Sequence, residues 1–307
     1  MIDNQFLLHD RLAKIRSTIS KYGEDNFSIS FSGGKDSCVL SFLVDLALPN
    51  NQIPRVYVDT GIDYALMRQF VKKLAEKDSR IVIIAPTVPI KPTLEEVGYP
   101  FKSKSHSEYV ARYQRIGKSI SVMQYLGERT DKEPWSTEKS CPQKLRYQFT
   151  PDFNIKVSDL CCERLKEEPI RLWQKQNNRP YAITGIMRAE GGRRHTSKCL
   201  AFRSNKLVRF NPLSPITKEF EDWLIFKFNI ELCDLYKEPY CFDRTGCKGC
   251  PFAIKLQNEL DILEKFFPAE RKQCEFIWEP IYTEYRRIGY RLKETDPAKG
   301  PAEYINP

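Results

Sequence analysis

The sequence predicts an α/β fold, a parallel twisted sheet flanked by helices, with a helical C-terminal extension. Three observations predict it. Short apolar runs of strand character, at Phe27–Phe31, Val56–Val58, Ile81–Ile84 and Tyr181–Gly185, alternate with segments of helical spacing. That alternation gives a parallel sheet, because parallel strands need a crossover connection between them. A Ser-Gly-Gly turn joins the first run to a helical segment, as at the carboxyl edge of an open α/β sheet. Beyond Pro251 the chain carries two long helical patterns, 254–266 and 269–291.

The elements follow in order. Residues 5–22 read as an amphipathic helix with Phe6, Leu7, Leu12 and Ile15 on its apolar side. Phe27–Phe31 is the first strand, and Val39–Leu48 continues as a helix after the turn. Val56–Val58 is the second strand, ending at Asp59-Thr60-Gly61; Tyr64–Lys77 is helical and Ile81–Ile84 is the third strand. Residues 86–154, rich in Ser, Lys and Tyr, show no clean period and are expected to hold a mobile or substrate-facing segment. Tyr181–Gly185 is a further buried strand, and 217–229 a helix with Trp223 and Phe226 facing inward. The last dozen residues read as a loose tail. The expected division is a nucleotide-binding domain over 1–255 that includes the paired cysteines, and a helical extension over 256–307.

Composition narrows the function. A 307-residue chain with 41% hydrophobic residues can bury a sizeable core. No run approaches the ~18 apolar residues of a membrane span, and no secretory signal opens the chain. A soluble cytoplasmic protein with no membrane partner is expected. The net charge of +9 suits a polyanion, a nucleotide or nucleic acid, or belongs to a solvated basic surface. The densest basic stretch, Lys102, Lys104, Arg112, Arg115 and Lys118 with Tyr109 and Tyr113 among them, allows both readings. Ten cysteines in a chain of this type point to metal ligation or redox chemistry rather than to disulfides.

The chemistry concentrates first at Ser32-Gly33-Gly34-Lys35-Asp36-Ser37. Gly33 and Gly34 let backbone N–H groups approach an anion, and the helix that follows turns its positive end toward it. The Ser32 and Ser37 hydroxyls and the Lys35 ammonium add donors. Asp36 would oppose a bare phosphate and is assigned to a magnesium ion or to orienting the loop. The spacing is not that of a Walker loop. A plain Gly-Gly turn is the alternative, and it leaves the density of donors unexplained.

This motif after a strand resembles the PP-loop of the ATP pyrophosphatases. That superfamily includes the phosphoadenylyl-sulfate and adenylyl-sulfate reductases, ATP sulfurylase small subunits and tRNA thiolases. The resemblance implies a Rossmann-like, adenine nucleotide alpha hydrolase-like domain that binds ATP, adenylyl sulfate or phosphoadenylyl sulfate, with Mg2+. Asp59-Thr60-Gly61 resembles the Asp-Thr-Gly of the reductase branch, which implies that Asp59 and Thr60 lie beside the nucleotide. Its alternative is an ordinary Asp-Gly turn.

The second concentration is sulfur. Cys161 and Cys162 are adjacent, and Cys247 and Cys250 form a C-x-x-C pair far downstream. Four thiolates suit a [4Fe-4S] cluster or a structural zinc. Adjacent cysteines are strained as a chelate of one ion but can serve two irons of a cuboidal cluster. The cluster is therefore the preferred reading, with zinc or no metal as alternatives. Cys-Cys followed at long range by Gly-Cys-x-x-Cys resembles the cluster signature of adenylyl-sulfate reductases. Ser158-Asp159-Leu160-Cys161-Cys162 and Asp243-Arg244-Thr245-Gly246-Cys247 are similar to motifs of reductase-like proteins of phages and mobile elements. Thr184-Gly185-Ile186-Met187-Arg188-Ala189-Glu190 resembles the family's Thr-Gly-x-x-x-x-Glu segment, which implies nucleotide contacts at Gly185 and Arg188. Arg193 and Arg194 resemble the basic pair that meets phosphate or sulfate; with Lys35 and Asp36 they are the residues to which the resemblance gives catalytic roles. Asn211-Pro212-Leu213 and the acidic helix with Trp223 match the next block, so the resemblance covers roughly 25–255.

The implied function is that of a phosphoadenosine phosphosulfate reductase-like iron–sulfur enzyme, transferring or reducing sulfur with a thiol or redox protein as electron donor. An ATP-dependent thiolase of tRNA or DNA, and a non-catalytic nucleotide or redox sensor, are the competing readings. The reductases carry a catalytic cysteine in a C-terminal Glu-Cys-Gly, and residues 298–307 hold none. Cys141, Cys199, Cys241 and Cys274 are the substitutes to weigh, each more simply read as structural. Lys144 and Arg146 would favour a thiolate at Cys141. Cys38 reads as core. His9, His106 and His195 form no ligand pattern, and only His195 stands in a basic run.

Overall fold

The computed structural model describes residues 4–129 and 140–293. Along the chain lie α1 (Asn4–Tyr22), β1 (Phe27–Ser30), α2 (Lys35–Ala47), β2 (Arg55–Val58), α3 (Ala65–Lys77) and β3 (Ile81–Ile84). Then come α4 (Ile90–Val97), α5 (Lys104–Ile116), α6 (Ile120–Leu126), α7 (Glu168–Gln176), β4 (Tyr181–Ile183), β5 (Leu200–Arg203) and β6 (Lys206–Phe210). Helices α8 (Lys218–Lys227), α9 (Leu256–Phe266) and α10 (Pro268–Arg287) complete the order. They divide into two units, Met1–Thr87 with Lys166–Thr245, and Val88–Leu165 with Gly246–Pro307.

The first unit is built on a six-stranded sheet in the order β3-β2-β1-β4-β6-β5. All its pairings are parallel except β5–β6. Strands β1 and β2 are almost wholly buried, as expected where helices cover both faces. The chain runs outward from β1 to β3 and returns to β4 on β1's other side. The carboxyl ends of β1 and β4 therefore form the switch point at which open sheets take ligands.

On α1 the buried stripe is Leu8, Leu12, Ile15 and Ile19, packed with Val39, Leu40, Leu43 and Val44 of α2. Phe6, expected on that face, is 66% exposed, because two residues from Leu8 is more than half a helical turn. The same geometry corrects α8. Phe220 and Leu224 are buried and Trp223 stacks on Phe220 at 5.5 Å, whereas Phe226 is 90% exposed. The β5–β6 hairpin gave no clear signal. Its two-residue turn uses Ser204 and Asn205, both at positive φ, without the glycine that usually marks such turns.

One basic side chain is fully enclosed in this unit. The Arg55 guanidinium reaches Asp45 at 2.5 Å, Asn51 Oδ1 at 3.0 Å and Ser41 Oγ at 3.1 Å, and Arg80 joins the same aspartate at 2.8 Å. Burial pulls the Arg55 pKa down against the pull of Asp45. Removing one partner strands a buried charge at a cost of about 3 kcal/mol or more. Asp45→Ala is expected to lower the urea-unfolding free energy by about that much; a loss below about 1 kcal/mol would show the network to be dispensable.

The second unit is helical, and its strand-like pairing among the described residues is the bridge Tyr99–Val157. Residues 86–154, which show no clean period in sequence, contain α4, α5 and α6. Their period is masked because α5 turns His106 and Ser107 inward beside Val110. The enclosed His106 ring bonds Tyr125 Oη at 2.8 Å and Gln148 Oε1 at 2.6 Å, and burial pushes its pKa down to about 4, so it is a neutral core histidine. Helices α9 and α10 form the expected helical C-terminus. The loose tail expected over the last residues lies outside the described residues. No described helix is long and apolar enough to cross a membrane.

Candidate functional site

The loop after β1 is held by its own serines. The Ser37 hydroxyl donates to the Gly34 carbonyl at 2.8 Å and accepts from the Ser32 N–H at 3.2 Å. Ser32 Oγ lies 3.2 Å from Ser37 Oγ and accepts from the Gly34 N–H at 3.3 Å. Gly33 has φ +71°, and a Cβ there would stand 2.5 Å from Met67 Sδ and 2.8 Å from Val71 Cγ2. Only glycine supplies both that backbone and that clearance. Helix α2 begins at Lys35, so its positive end lies at this loop.

Around the loop the first unit gathers residues from four later segments. Gly185, after β4, comes so close that a Cβ would stand 3.0 Å from the Asp36 carbonyl oxygen. The Lys35 N–H donates to Tyr236 Oη at 3.3 Å, and that hydroxyl lies 2.5 Å from Thr245 Oγ1. Lys35 Nζ lies 3.3 Å from Glu221 Oε2 of α8. Glu221 is wholly buried, yet neither of its carboxylate oxygens accepts a well-aligned hydrogen bond. Burial first, and then the negative charge of Asp36, pushes its pKa up to about 8, with Lys35 pulling the other way. Glu221, Tyr236 and Thr245 were not singled out as site residues in the sequence. Glu221 shows there only as part of an acidic helix start, and Tyr236 has no motif to mark it.

Glu190 organises the basic residues. Its carboxylate takes Arg194, and Arg244 at 2.7 Å. Arg188 is exposed, with its Nε donating to the Ser214 carbonyl at 3.2 Å. The Arg193 side chain lies outside the described residues. Arg188 also walls a cavity of about 510 Å³ with Arg11, Lys14, His195, Lys198 and Cys199, and no carboxylate lines it. The Asp59-Thr60-Gly61 turn is engaged in its own bonds. Asp59 pairs with Arg68 at 2.9 Å and accepts from the Gly61 N–H at 3.1 Å, while the Thr60 hydroxyl donates to Asp63 at 2.8 Å.

All four paired cysteines fall in the second unit. The Tyr99–Val157 bridge fixes the approach to Cys161, and Gly98 permits it, since a Cβ would meet the Lys156–Ser158 backbone at 3.1 Å. Ser158 Oγ accepts from the Leu160 N–H at 3.3 Å, a serine turn just ahead of the helix that Cys161 and Cys162 open. The next turn, Glu163–Glu167, is π-helical, a form frequent at functional sites. Cys161 is buried, and its pKa is driven far up by a hydrogen bond with Cys162, then by burial, then by the thiols of Cys162, Cys250 and Cys247. Cys161 is thus within electrostatic reach of the other three thiols. Among the described residues no three Cys, His, Asp or Glu side chains converge as a ready single-ion site.

The remaining cysteines read as structural. Cys141 is buried, and its pKa goes up to about 11, because desolvation outweighs the Lys102 and Arg146 charges that favour a thiolate. Cys274 is fully enclosed and pushed up to about 12 by burial. Cys38 is buried under the nucleotide loop and donates to the Gly33 carbonyl. Cys241 is exposed and Cys199 half-buried. In the basic stretch 102–118, Arg112 pairs with Glu108 and Lys118 with Glu128. Tyr109 stacks on Tyr125 at 4.3 Å and Tyr113 packs on Phe149 at 5.7 Å, so both rings are engaged within the unit.

Comparison with known proteins agrees with these motifs. The chain matches the phosphoadenosine phosphosulfate reductase domain over residues 26–137 and 135–253. An uncharacterized protein of Methanocaldococcus jannaschii is 30% identical over 262 residues, covering 81% of this chain and 49% of that protein. The chain thus spans about half the length of that relative. Among solved structures, the phosphoadenylyl-sulfate reductase of Candida auris in a phosphate complex aligns with 73% of this chain and 88% of its own (TM-score 0.39, 13% identity). The U34-tRNA thiolase NcsA of Methanococcus maripaludis with its [4Fe-4S] cluster aligns with 93% of this chain and 80% of its own (TM-score 0.40, 13% identity). The NH3-dependent NAD synthetase of Campylobacter jejuni aligns with 96% of this chain and 100% of its own (TM-score 0.40, 12% identity). Through a match that runs over most of its length, and through the loop and motifs that carry it, this chain belongs to the phosphoadenosine phosphosulfate reductase domain family.

Proposed function

We propose that this chain is an iron–sulfur enzyme that binds ATP or a sulfated adenylate at Ser32–Ser37 and transfers or reduces sulfur, with a [4Fe-4S] cluster on Cys161, Cys162, Cys247 and Cys250. The observation that carries the reading is that two distant stretches of sequence fall in one unit, with Cys161 in electrostatic reach of Cys162, Cys247 and Cys250. One zinc ion would pull its four sulfurs to within about 3.8 Å of one another, given Zn–S bonds of about 2.3 Å. A cuboidal cluster takes one thiolate per iron and so accepts a wider spread. Bound there, it would supply electrons one at a time.

The nucleotide's own contacts come from the chain. The Lys35 ammonium meets phosphate oxygens, with the positive end of α2 behind it, and the Gly34 and Lys35 N–H groups join it where phosphate displaces the Ser32 and Tyr236 hydroxyls. A neutral Glu221 leaves the Lys35 charge available, and Asp36 orients the loop or holds Mg2+. Arg188, Arg193 and Arg194 supply positive charge for a phosphate or sulfate group. Anaerobic reconstitution of the full chain is expected to give about four iron and four sulfide per chain, lost in Cys161→Ala and Cys250→Ala. Release of AMP from ATP or of sulfite from a sulfonucleotide then assigns the reaction. A chain that takes up neither iron nor sulfide removes the reading.

A second reading, ATP-dependent thiolation of nucleic acid, is favoured by the cavity walled by Arg11, Lys14, Arg188 and Lys198 without a carboxylate. Labelled sulfur appearing in tRNA or DNA only in cells that carry the gene would select it.

A further inference from the structure

We propose that α10 is the positioning element of the Cys247–Cys250 loop, acting through Trp278, Tyr282 and Tyr285; the inference rests on reading those cysteines as cluster ligands. Trp278 Nε1–H donates to the Lys248 carbonyl at 3.0 Å. The Tyr282 hydroxyl donates to the Gly249 carbonyl. The Tyr285 hydroxyl donates to the Pro251 carbonyl at 2.9 Å, and Arg291 Nη1 reaches the same oxygen at 2.6 Å. Three main-chain carbonyls in and just after the C-x-x-C turn are thus taken by side chains of one helix.

The donors sit at 278, 282 and 285, a spacing that keeps them on one helical face. All three side chains are essentially unexposed. Two further α10 residues on this face touch the turn. Glu270 pairs with the buried Lys248 at 2.6 Å, and Cys274 Sγ would stand 2.8 Å from a Cβ placed on Gly249. The helix therefore grips both residues between the two cysteines.

Packing alone does not require the polar atoms, because phenylalanine fills nearly the space of tyrosine. Their effect is on the peptide planes. In a trans peptide the N–H points opposite to the preceding carbonyl. With the Lys248 carbonyl turned to Trp278, the Gly249 N–H is turned away from the helix. An N–H aimed at a cysteine sulfur stabilises the thiolate, and in a cluster it favours the reduced form. Trp278, Tyr282 and Tyr285 are accordingly positioning residues for the two thiolates, and through them for affinity and potential.

The test uses the full chain with Trp278→Phe, Tyr282→Phe and Tyr285→Phe, singly and together. In the iron-free chain, amide hydrogen exchange over residues 248–252 is expected to quicken about tenfold or more in the triple variant while the rest of α10 keeps its protection. In the reconstituted chain, iron loss to a chelator is expected to quicken about tenfold and the midpoint potential to become more negative. A purely structural role would speed exchange across the whole unit and leave the potential where it is. Wild-type exchange at 248–252 in the triple variant, or an unchanged potential in a cluster-bearing variant, overturns the proposal. A wild-type chain that takes up no iron counts against the cluster alone, because the exchange arm still decides whether α10 holds the loop.

Discussion

Gly249→Ala is expected to destabilise the chain by about 3 kcal/mol and to abolish iron uptake. Gly249 has φ +61°, where a side chain costs about 1–2 kcal/mol. Its Cβ would also stand 2.8 Å from Cys274 Sγ and 3.0 Å from Cys274 Cβ, an overpacking worth about 1–3 kcal/mol more. Neither neighbour can swing aside, since Cys274 is fully enclosed and Tyr282 is bonded to the Gly249 carbonyl. Gly246, in the same motif, is the control. It lacks a positive φ, and its Cβ would meet nothing within 4 Å. Urea unfolding and iron content of the two alanine variants check this. Equal stability and equal iron in both would show that the tight contact at Gly249 does not matter.

Lys35→Ala is expected to weaken nucleotide binding by tenfold to about a hundredfold, the worth of a hydrogen bond to a charged group. It also leaves Glu221 without its cation. Glu221→Gln separates these effects through pH. Burial and Asp36 raise the Glu221 pKa from 4.5 to about 8 in the folded chain. Between those values the folded chain holds a proton that the unfolded chain has released. The corresponding stability is fully present below about pH 4.5 and is lost as pH rises through about 8. Glu221→Gln cannot lose that proton, so its melting temperature is expected to change less between pH 5 and 9. Nucleotide affinity follows the same course, because an ionised Glu221 competes with phosphate for Lys35 while the glutamine does not. Wild type and variant with parallel pH profiles, for both melting and binding, would dismiss Glu221 as a titrating partner of Lys35.

The site was legible in the sequence where chemistry is local. A glycine pair between strand and helix, an adjacent Cys-Cys and a C-x-x-C turn each carry their reason within six residues. Ser158 and Gly185 belong to the same class, although their purposes, a turn into the helix of Cys161 and a close approach to Asp36, emerge only in three dimensions. Tyr236 serves the loop from a segment with no motif of its own, and the motifs that hold Glu190 and Glu221 do not say which cation each meets, so no spacing rule could connect them.

By itself the sequence determined the parallel α/β sheet, the loop after its first strand, the family and the helical C-terminus, since periodicity and turn chemistry are written in neighbouring residues. Tertiary structure decided which face of α1 and α8 is buried, that three helices lie between residues 90 and 126, and that desolvation at Cys141 outweighs its basic neighbours. It also joined Lys35 to Glu221 and gave α10 the carbonyls of the C-x-x-C turn. These depend on burial and on contacts between residues far apart in the chain, where desolvation and packing outweigh local preference.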